Sequence, residues 1–133
     1  MKIEYEGTFS ASRCADNPDK IYVFGDNLLR RGYAGQATIR GQANAFGIPT
    51  KRYPNTQRSA YFSDQPDELE SVKQALRELY ILGKKNYTIV FPTKGIGTGL
   101  ARMQEHSPKI YTYMCETLER FFGIVNESSK RTQ

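Results

Sequence analysis

The sequence has no tryptophan, one histidine, two cysteines and no long apolar run. Each shortage removes a class of protein. A single histidine, with Cys14 and Cys115 far apart in the chain, leaves no zinc-type ligand spacing and no Ser-His-Asp set, so no metal is called for. That histidine, His106, directly precedes Ser107-Pro108 and reads as a loop residue at a helix start rather than a base. The two cysteines read as free thiols of a reducing compartment. No stretch approaches the roughly 18 apolar residues that a membrane-spanning helix needs. The opening "MKIEYEGTFS" is acidic where a signal peptide would be apolar, so the expected location is the cytoplasm. Repeats of solenoid period are missing too.

What is present describes a folded domain. A chain of 133 residues with 38% apolar side chains, nine Tyr and seven Phe can bury a core without cross-links. We read residues 1–125 as one domain and 126–133 as a polar tail. The net charge of +5, from 19 Lys and Arg against 14 Asp and Glu, favours an anionic partner such as nucleic acid, a nucleotide or a phosphorylated metabolite. Basic residues come in pairs (Arg30-Arg31, Lys51-Arg52, Lys84-Lys85), a pattern that solvated surface also produces.

Periodicity places the elements. "MKIEYEG" alternates Ile3 and Tyr5 against charged residues, the period of a half-buried strand. "KIYVFGDN" carries four consecutive β-formers, Ile21 to Phe24, stopped by Gly25: a buried central strand. Small and apolar residues recurring from Tyr33 to Phe46 predict a helix there, despite Gly35 and Gly41. "GIPTKR" predicts a short strand that Pro49 ends or confines to an edge, and "SAYFS" another. A helix follows from Pro66, capped by Asp64 or Ser63 and stopped at Gly83, with Leu69, Val72, Leu76, Leu79 and Tyr80 as its apolar stripe. "YTIVFPT" is the second buried strand. The last helix has Ser107 as N-cap, Pro108 at N1, and Ile110, Met114, Leu118, Phe121 and Phe122 facing inward. Strands alternating with helices give an α/β fold with a mixed, mostly parallel central sheet flanked by helices.

In such sheets ligands bind beyond the carboxyl ends of the strands. Both glycine-rich stretches fall there: "GDNLLRRGYAG" after the first buried strand and "TKGIGTG" after the second. Glycine permits the positive φ angles with which backbone N–H groups converge on one anion. The first stretch, leading into the predicted helix at Gly32 to Gly35, would add a helix dipole. Either loop alone reads as a tight turn; two side by side suit a pyrophosphate. "KGIGTGLA" lacks the Gly-Lys-Ser/Thr ending of a P-loop, so the spacing names no cofactor.

"IYVFGDNLLRRGYAGQATIRG" resembles the first ligand loop of macro domains, where a buried strand ends in an Asn-containing turn and a glycine-rich segment follows. "YTIVFPTKGIGTGLARM" is similar to their second loop, in which an Ile-Gly-Thr-Gly segment wraps a diphosphate. Gly-Asp-Asn-Leu, Arg-x-x-Gly-x-Ala and Ile-Pro-Thr-Lys further resemble small macro-like proteins of phages and bacteria. The resemblance spans residues 20 to 122. It implies a three-layer macro-like fold that binds ADP-ribose, free or on a macromolecule, or a related nucleotide diphosphate, with hydrolysis of an ADP-ribosyl linkage as a further activity of such relatives. Carried over by position, Gly25, Asp26 and Asn27 would lie at the distal ribose, with Gly32 and Gly35 passing close to it. Lys94, Gly95, Ile96, Gly97, Thr98 and Gly99 would hold the diphosphate. The Asp that binds adenine in many macro domains has no counterpart in "EGTFSAS", and the glutamate pair of poly(ADP-ribose)-cleaving relatives is absent.

If the protein cleaves a bond, Asp26 is the candidate general base or nucleophile; otherwise it is a turn or helix cap. Lys51 and Lys94, each ending a Pro-Thr-Lys, are candidates for neutralising phosphate, or are surface charge. The alternative class is a nucleic-acid-binding module that pairs the basic residues with Tyr33, Tyr53, Tyr61, Tyr87 and Tyr111 as stacking platforms.

Overall fold

The computed structural model describes residues 1–126. Its centre is a four-stranded sheet in the order β1-β4-β2-β3, formed by β1 (Lys2–Glu6), β2 (Lys20–Asn27), β3 (Ala45–Lys51) and β4 (Thr88–Pro92). Every pairing is parallel, so the mixed sheet expected from the sequence is in fact uniform. Both central strands are continuous runs of β-branched and aromatic residues, as a strand buried on two faces requires. All of β4 is buried, and Ile89, Val90 and Phe91 are at most 1% exposed. Full burial of each such side chain is worth about 1.5–3 kcal/mol. Pro49 does sit in an edge strand, which continues past it to Lys51.

The sheet is covered on both faces, because alternate residues of the central strands point opposite ways. Ile21, Val23, Ile89 and Phe91 pack with α2 (Pro66–Lys84) and α4 (Pro108–Phe122) in the larger core. Tyr22, Phe24 and Val90 pack on the other side with Phe9, Ala37, Ile39 and Cys14, the last from the short helix α1 (Ala11–Asp16). Cys14 and Cys115 form no disulfide bond. No helix among the described residues is long and apolar enough to cross a membrane.

Several expectations give way. The helix predicted from Tyr33 to Phe46 is a single 3-10 stretch, Gly35–Ile39, and Ala45 and Phe46 already belong to β3. Gly35 and Gly41 stand at φ +57° and +94°, angles that no right-handed helix contains. β2 does not stop at Gly25 but runs to Asn27, with a register shift between Asp26 and Asn27. The N-cap of α2 is Gln65, whose N–H donates to Glu68 Oε1 at 2.9 Å; Asp64 instead accepts from Lys109 N (3.2 Å) and Ile110 N (2.9 Å), capping α4. Ser107 occupies the N-cap position of α4, but its hydroxyl caps nothing.

Gly83 lies inside the last turn of α2, where the Met1 side chain fills the space that a Cβ would take. "SAYFS" gives a 3-10 turn, Arg58–Ala60, and one antiparallel bridge between Lys51 and Tyr61. Tyr5 is exposed on β1, and Phe121 is half exposed with its edge against Tyr80. The polar tail expected over 126–133 lies outside the described residues, apart from Asn126, which is buried.

Candidate functional site

The adjacent strands β2 and β4 pair only over Lys20–Tyr22 and Thr88–Val90, then separate toward their carboxyl ends. A cavity of about 310 Å³ opens beyond those ends. Its floor is Gly25, Asp26 and Asn27 of β2 with Thr50 and Lys51 of β3. One wall is the 31–37 segment after β2; the other is Lys94 and residues 97–101 after β4. A carboxyl-end cleft is the binding place that an open parallel sheet provides. Nine of the eleven residues expected at the site line this cavity. The exceptions, Gly95 and Ile96, lie behind its wall.

Their role is to build the loop. Ile96 is fully buried, and its N–H donates to Asn126 Oδ1 (2.8 Å) while its C=O accepts from Asn126 Nδ2 (2.9 Å). Gly95 donates to Pro92 O at 2.9 Å. Neither N–H is therefore turned to a ligand, which corrects the expectation for both residues. The next five are different. The N–H groups of Gly97, Thr98, Gly99, Leu100 and Ala101 have no acceptor among the described residues, although Gly97 and Ala101 are buried. Backbone donors away from water almost always find a partner. Gly99 and Leu100 are exposed, so the enclosed donors without a partner are those of Gly97 and Ala101, both on one cavity wall. Gly97 stands at φ +78°, and Met103 and Met114 fill the space behind it, so the loop turns there on a residue that only glycine can supply.

Where the ladder between β2 and β4 fails, a side chain replaces it. Gly25 N donates to Gln36 Oε1 (2.9 Å) and Gln36 Nε2 donates to Gly95 O (2.9 Å), so one amide holds the two glycine loops at a fixed separation. Sequence reasoning missed Gln36, since a glutamine between Gly35 and Ala37 carries no local signal of a contact 59 residues away. The first loop has its own fastenings. Asn27 Nδ2 donates to Arg31 O at 2.8 Å, and Arg40 donates to Gly32 O and Arg31 O at 2.7 and 3.0 Å. Because the segment after it is one 3-10 stretch, the helix dipole expected at Gly32 to Gly35 is missing.

Asp26 does not stand as a free base. Its Oδ1 accepts from Arg40 (2.6 Å) and from Asn27 N (2.7 Å), and its Oδ2 accepts from Arg30 (2.9 Å). The side chain is 3% exposed, so both oxygens are enclosed by donors. Glycine at position 47 on the neighbouring strand leaves the space this carboxylate fills. Arg30 adopts φ +57°, an uncommon angle for its type, and its guanidinium reaches both Asp26 and Gly47 O (3.1 Å).

Lys51 and Lys94 both line the cavity. Burial pushes the Lys51 ammonium below the ordinary lysine range; it donates to Asn55 O at 2.6 Å and lies 4.9 Å from the centre of the Tyr61 ring. Lys94 is exposed and has no ion-pair partner among the described residues. His106 closes the short helix α3 (Met103–His106), stacks on Tyr61 at 4.1 Å and does not line the cavity. Of the five tyrosines considered as stacking platforms, only Tyr33 and Tyr53 are exposed. No group of three or more His, Cys, Asp or Glu side chains that could hold a metal exists among the described residues.

A family model described as a family of unknown function, DUF7831, matches residues 4–117. The chain belongs to that family. The matched span runs from within β1 through most of α4, and so contains both glycine loops, Gln36 and the Asp26 cluster, while Asn126 falls outside it. No curated protein and no solved structure matches the chain.

Proposed function

We propose that this DUF7831 protein binds ADP-ribose, or a related nucleotide diphosphate, in the cleft between its two glycine-rich loops. In this reading its fold is the three-layer macro-like arrangement that the loop motifs resemble. The observation that carries the reading is the unpaired N–H run from Gly97 to Ala101 along the cavity wall. An anion with several acceptor oxygens satisfies such a run, and Lys94 beside it adds charge. Arg31 on the opposite wall suits the second phosphate of a diphosphate.

Binding without turnover is the form that the geometry favours. Among the described residues Asp26 is the one carboxylate that lines the cavity, and two guanidinium groups and a backbone N–H hold it. A general base must reach the proton it removes, and here the carboxylate faces Arg30 and Arg40. Asp26 is assigned the task of fixing the first loop through those two arginines.

Calorimetry with ADP-ribose tests the proposal, with Gly99→Glu as the variant. A Cβ at Gly99 meets nothing within 4 Å, so the substitution leaves the fold alone while setting a carboxylate at those N–H groups. Like-charge repulsion there lowers affinity at least tenfold, or about 1.4 kcal/mol. Unchanged affinity in Gly99→Glu removes the loop from the site.

A further inference from the structure

Charge is unevenly divided along this chain. From Asn27 to Ser63, and again from Pro92 to Gln104, there is no Asp or Glu, while Arg30, Arg31, Arg40, Lys51, Arg52, Arg58, Lys94 and Arg102 all fall in those two stretches. They are the segments that build the cavity and its mouth. The rest of the chain holds all 14 carboxylates and the remaining basic residues, so it is net acidic although the whole is +5. The positive field is thus concentrated at one end of the sheet.

Part of that charge is used internally. Arg40 and Arg30 hold Asp26, Arg52 holds Asp67 and Glu68, and Arg102 pairs with Glu105. Arg31, Arg58 and Lys94 are exposed and have no ion-pair partner among the described residues. Two exposed aromatic rings lie in the same stretch of chain as Arg31 and Arg58. Tyr33 is 67% exposed, one residue before Ala34 of the cavity wall, and Tyr53 is 39% exposed, one residue before Pro54 at the mouth. Neither ring lines the cavity itself. Unpaired cations interleaved with exposed aromatic rings are the chemistry of single-strand binding, in which bases stack and the backbone follows the charge. A duplex would need an element long enough to follow a groove, whereas these residues sit on short loops.

We propose that the partner of this face is a single-stranded nucleic acid whose phosphate-bearing end enters the cavity. The terminal phosphate lies on the Gly97–Ala101 N–H groups, and the following nucleotides run out over Tyr33 and over the Tyr53–Arg58 loop. This rests on the anion site proposed above and adds to it the molecule to which the bound phosphate belongs.

Fluorescence anisotropy with 12-nucleotide single strands tests it, each strand carrying a 5′-phosphate, a 3′-phosphate or hydroxyl at both ends, with calorimetry of ADP-ribose in parallel. The expected result is at least tenfold tighter binding of one phosphorylated strand than of the hydroxyl-ended strand, displacement of that strand by ADP-ribose, and a loss of at least tenfold on moving from 50 to 200 mM salt. The surface variant Tyr53→Ala with Arg58→Glu replaces no residue that lines the cavity; it weakens strand binding at least tenfold and leaves ADP-ribose affinity within threefold. Tyr33→Ala weakens the strand in the same direction. ADP-ribose binding with no strand binding overturns this inference and leaves the proposed function standing. Equal binding of phosphorylated and hydroxyl-ended strands, or strand affinity unchanged in the Tyr53/Arg58 variant, also overturns it. A strand that binds but is not displaced by ADP-ribose separates the basic face from the cavity and overturns it as well.

Discussion

Replacing Gly95 with alanine probes the scaffold under the anion loop. Gly95 stands at φ +88°, where an L side chain costs about 1–2 kcal/mol. The added Cβ falls on the backbone carbonyl oxygen of Asn126, with Asn126 Oδ1 3.3 Å away. Backbone cannot rotate aside as a side-chain tip can, so Asn126 must move. Its side chain then releases the N–H and C=O of Ile96, both in a residue with no solvent exposure. An unsatisfied buried donor or acceptor costs about 1–3 kcal/mol. Partial relaxation reduces the sum, which leaves a loss of about 3 kcal/mol or more. Domains of this kind have about 5–15 kcal/mol in total. Urea unfolding at constant m-value reads the loss as a shifted midpoint. Gly99→Ala is the control, since its Cβ enters open space, and it changes stability by no more than about 0.5 kcal/mol. A Gly95→Ala protein as stable as Gly99→Ala would refute the role given to this loop.

Three further outcomes are expected. Asp26→Asn leaves Arg40, whose side chain is 14% exposed, without its carboxylate; breaking a buried pair by removing one partner costs about 3–5 kcal/mol, and an unchanged thermal midpoint would count against it. Lys94→Ala weakens ADP-ribose by about 1 kcal/mol or more, whereas Lys84→Ala with Lys85→Ala, at the other end of the sheet, changes it little in calorimetry at moderate salt. The hydrogen bond from Arg52 holds the Asp67 carboxyl below its ordinary range, so the stability this pair adds is present above that range and is lost as pH falls through the folded value. Asp67→Asn therefore lowers the urea midpoint at pH 7, where the pair is intact, and flattens its fall below about pH 4, where the two proteins converge.

The central strands and long helices were legible because their signals are local. Ile21 to Phe24 and Thr88 to Phe91 are unbroken β-formers, and the α2 and α4 stripes repeat at helical spacing. The failures share a cause: the deciding contact lies far along the chain. Asp64 reads as a cap for the helix two residues on, yet it caps one 46 residues away. Asn126 reads as the start of a polar tail, yet it pairs with Ile96 as a strand neighbour would. The helix proposed over Tyr33 to Phe46 rested on small apolar residues at near-helical spacing, and the positive φ angles of Gly35 and Gly41 outweigh that pattern. At the candidate site, the alternating glycines read as a loop, and Gly97 and Gly99 line the cavity while Gly95 lies behind its wall. Nothing in "GIGTG" tells which amides the scaffold itself uses. Asp26 looked available because its partners, Arg30 and Arg40, are four and fourteen residues away, and only the fold turns both toward it.

The central claim is that the amides of Gly97 to Ala101 receive an anion. Amide proton chemical shifts test it most directly, in a titration of the ¹⁵N-labelled protein with ADP-ribose. Formation of hydrogen bonds to phosphate moves those five amide protons downfield in a saturable way, while the amide of Ile96, already bonded to Asn126, moves little. Saturable shifts confined to other parts of the chain, with Gly97 to Ala101 unmoved, would contradict the account.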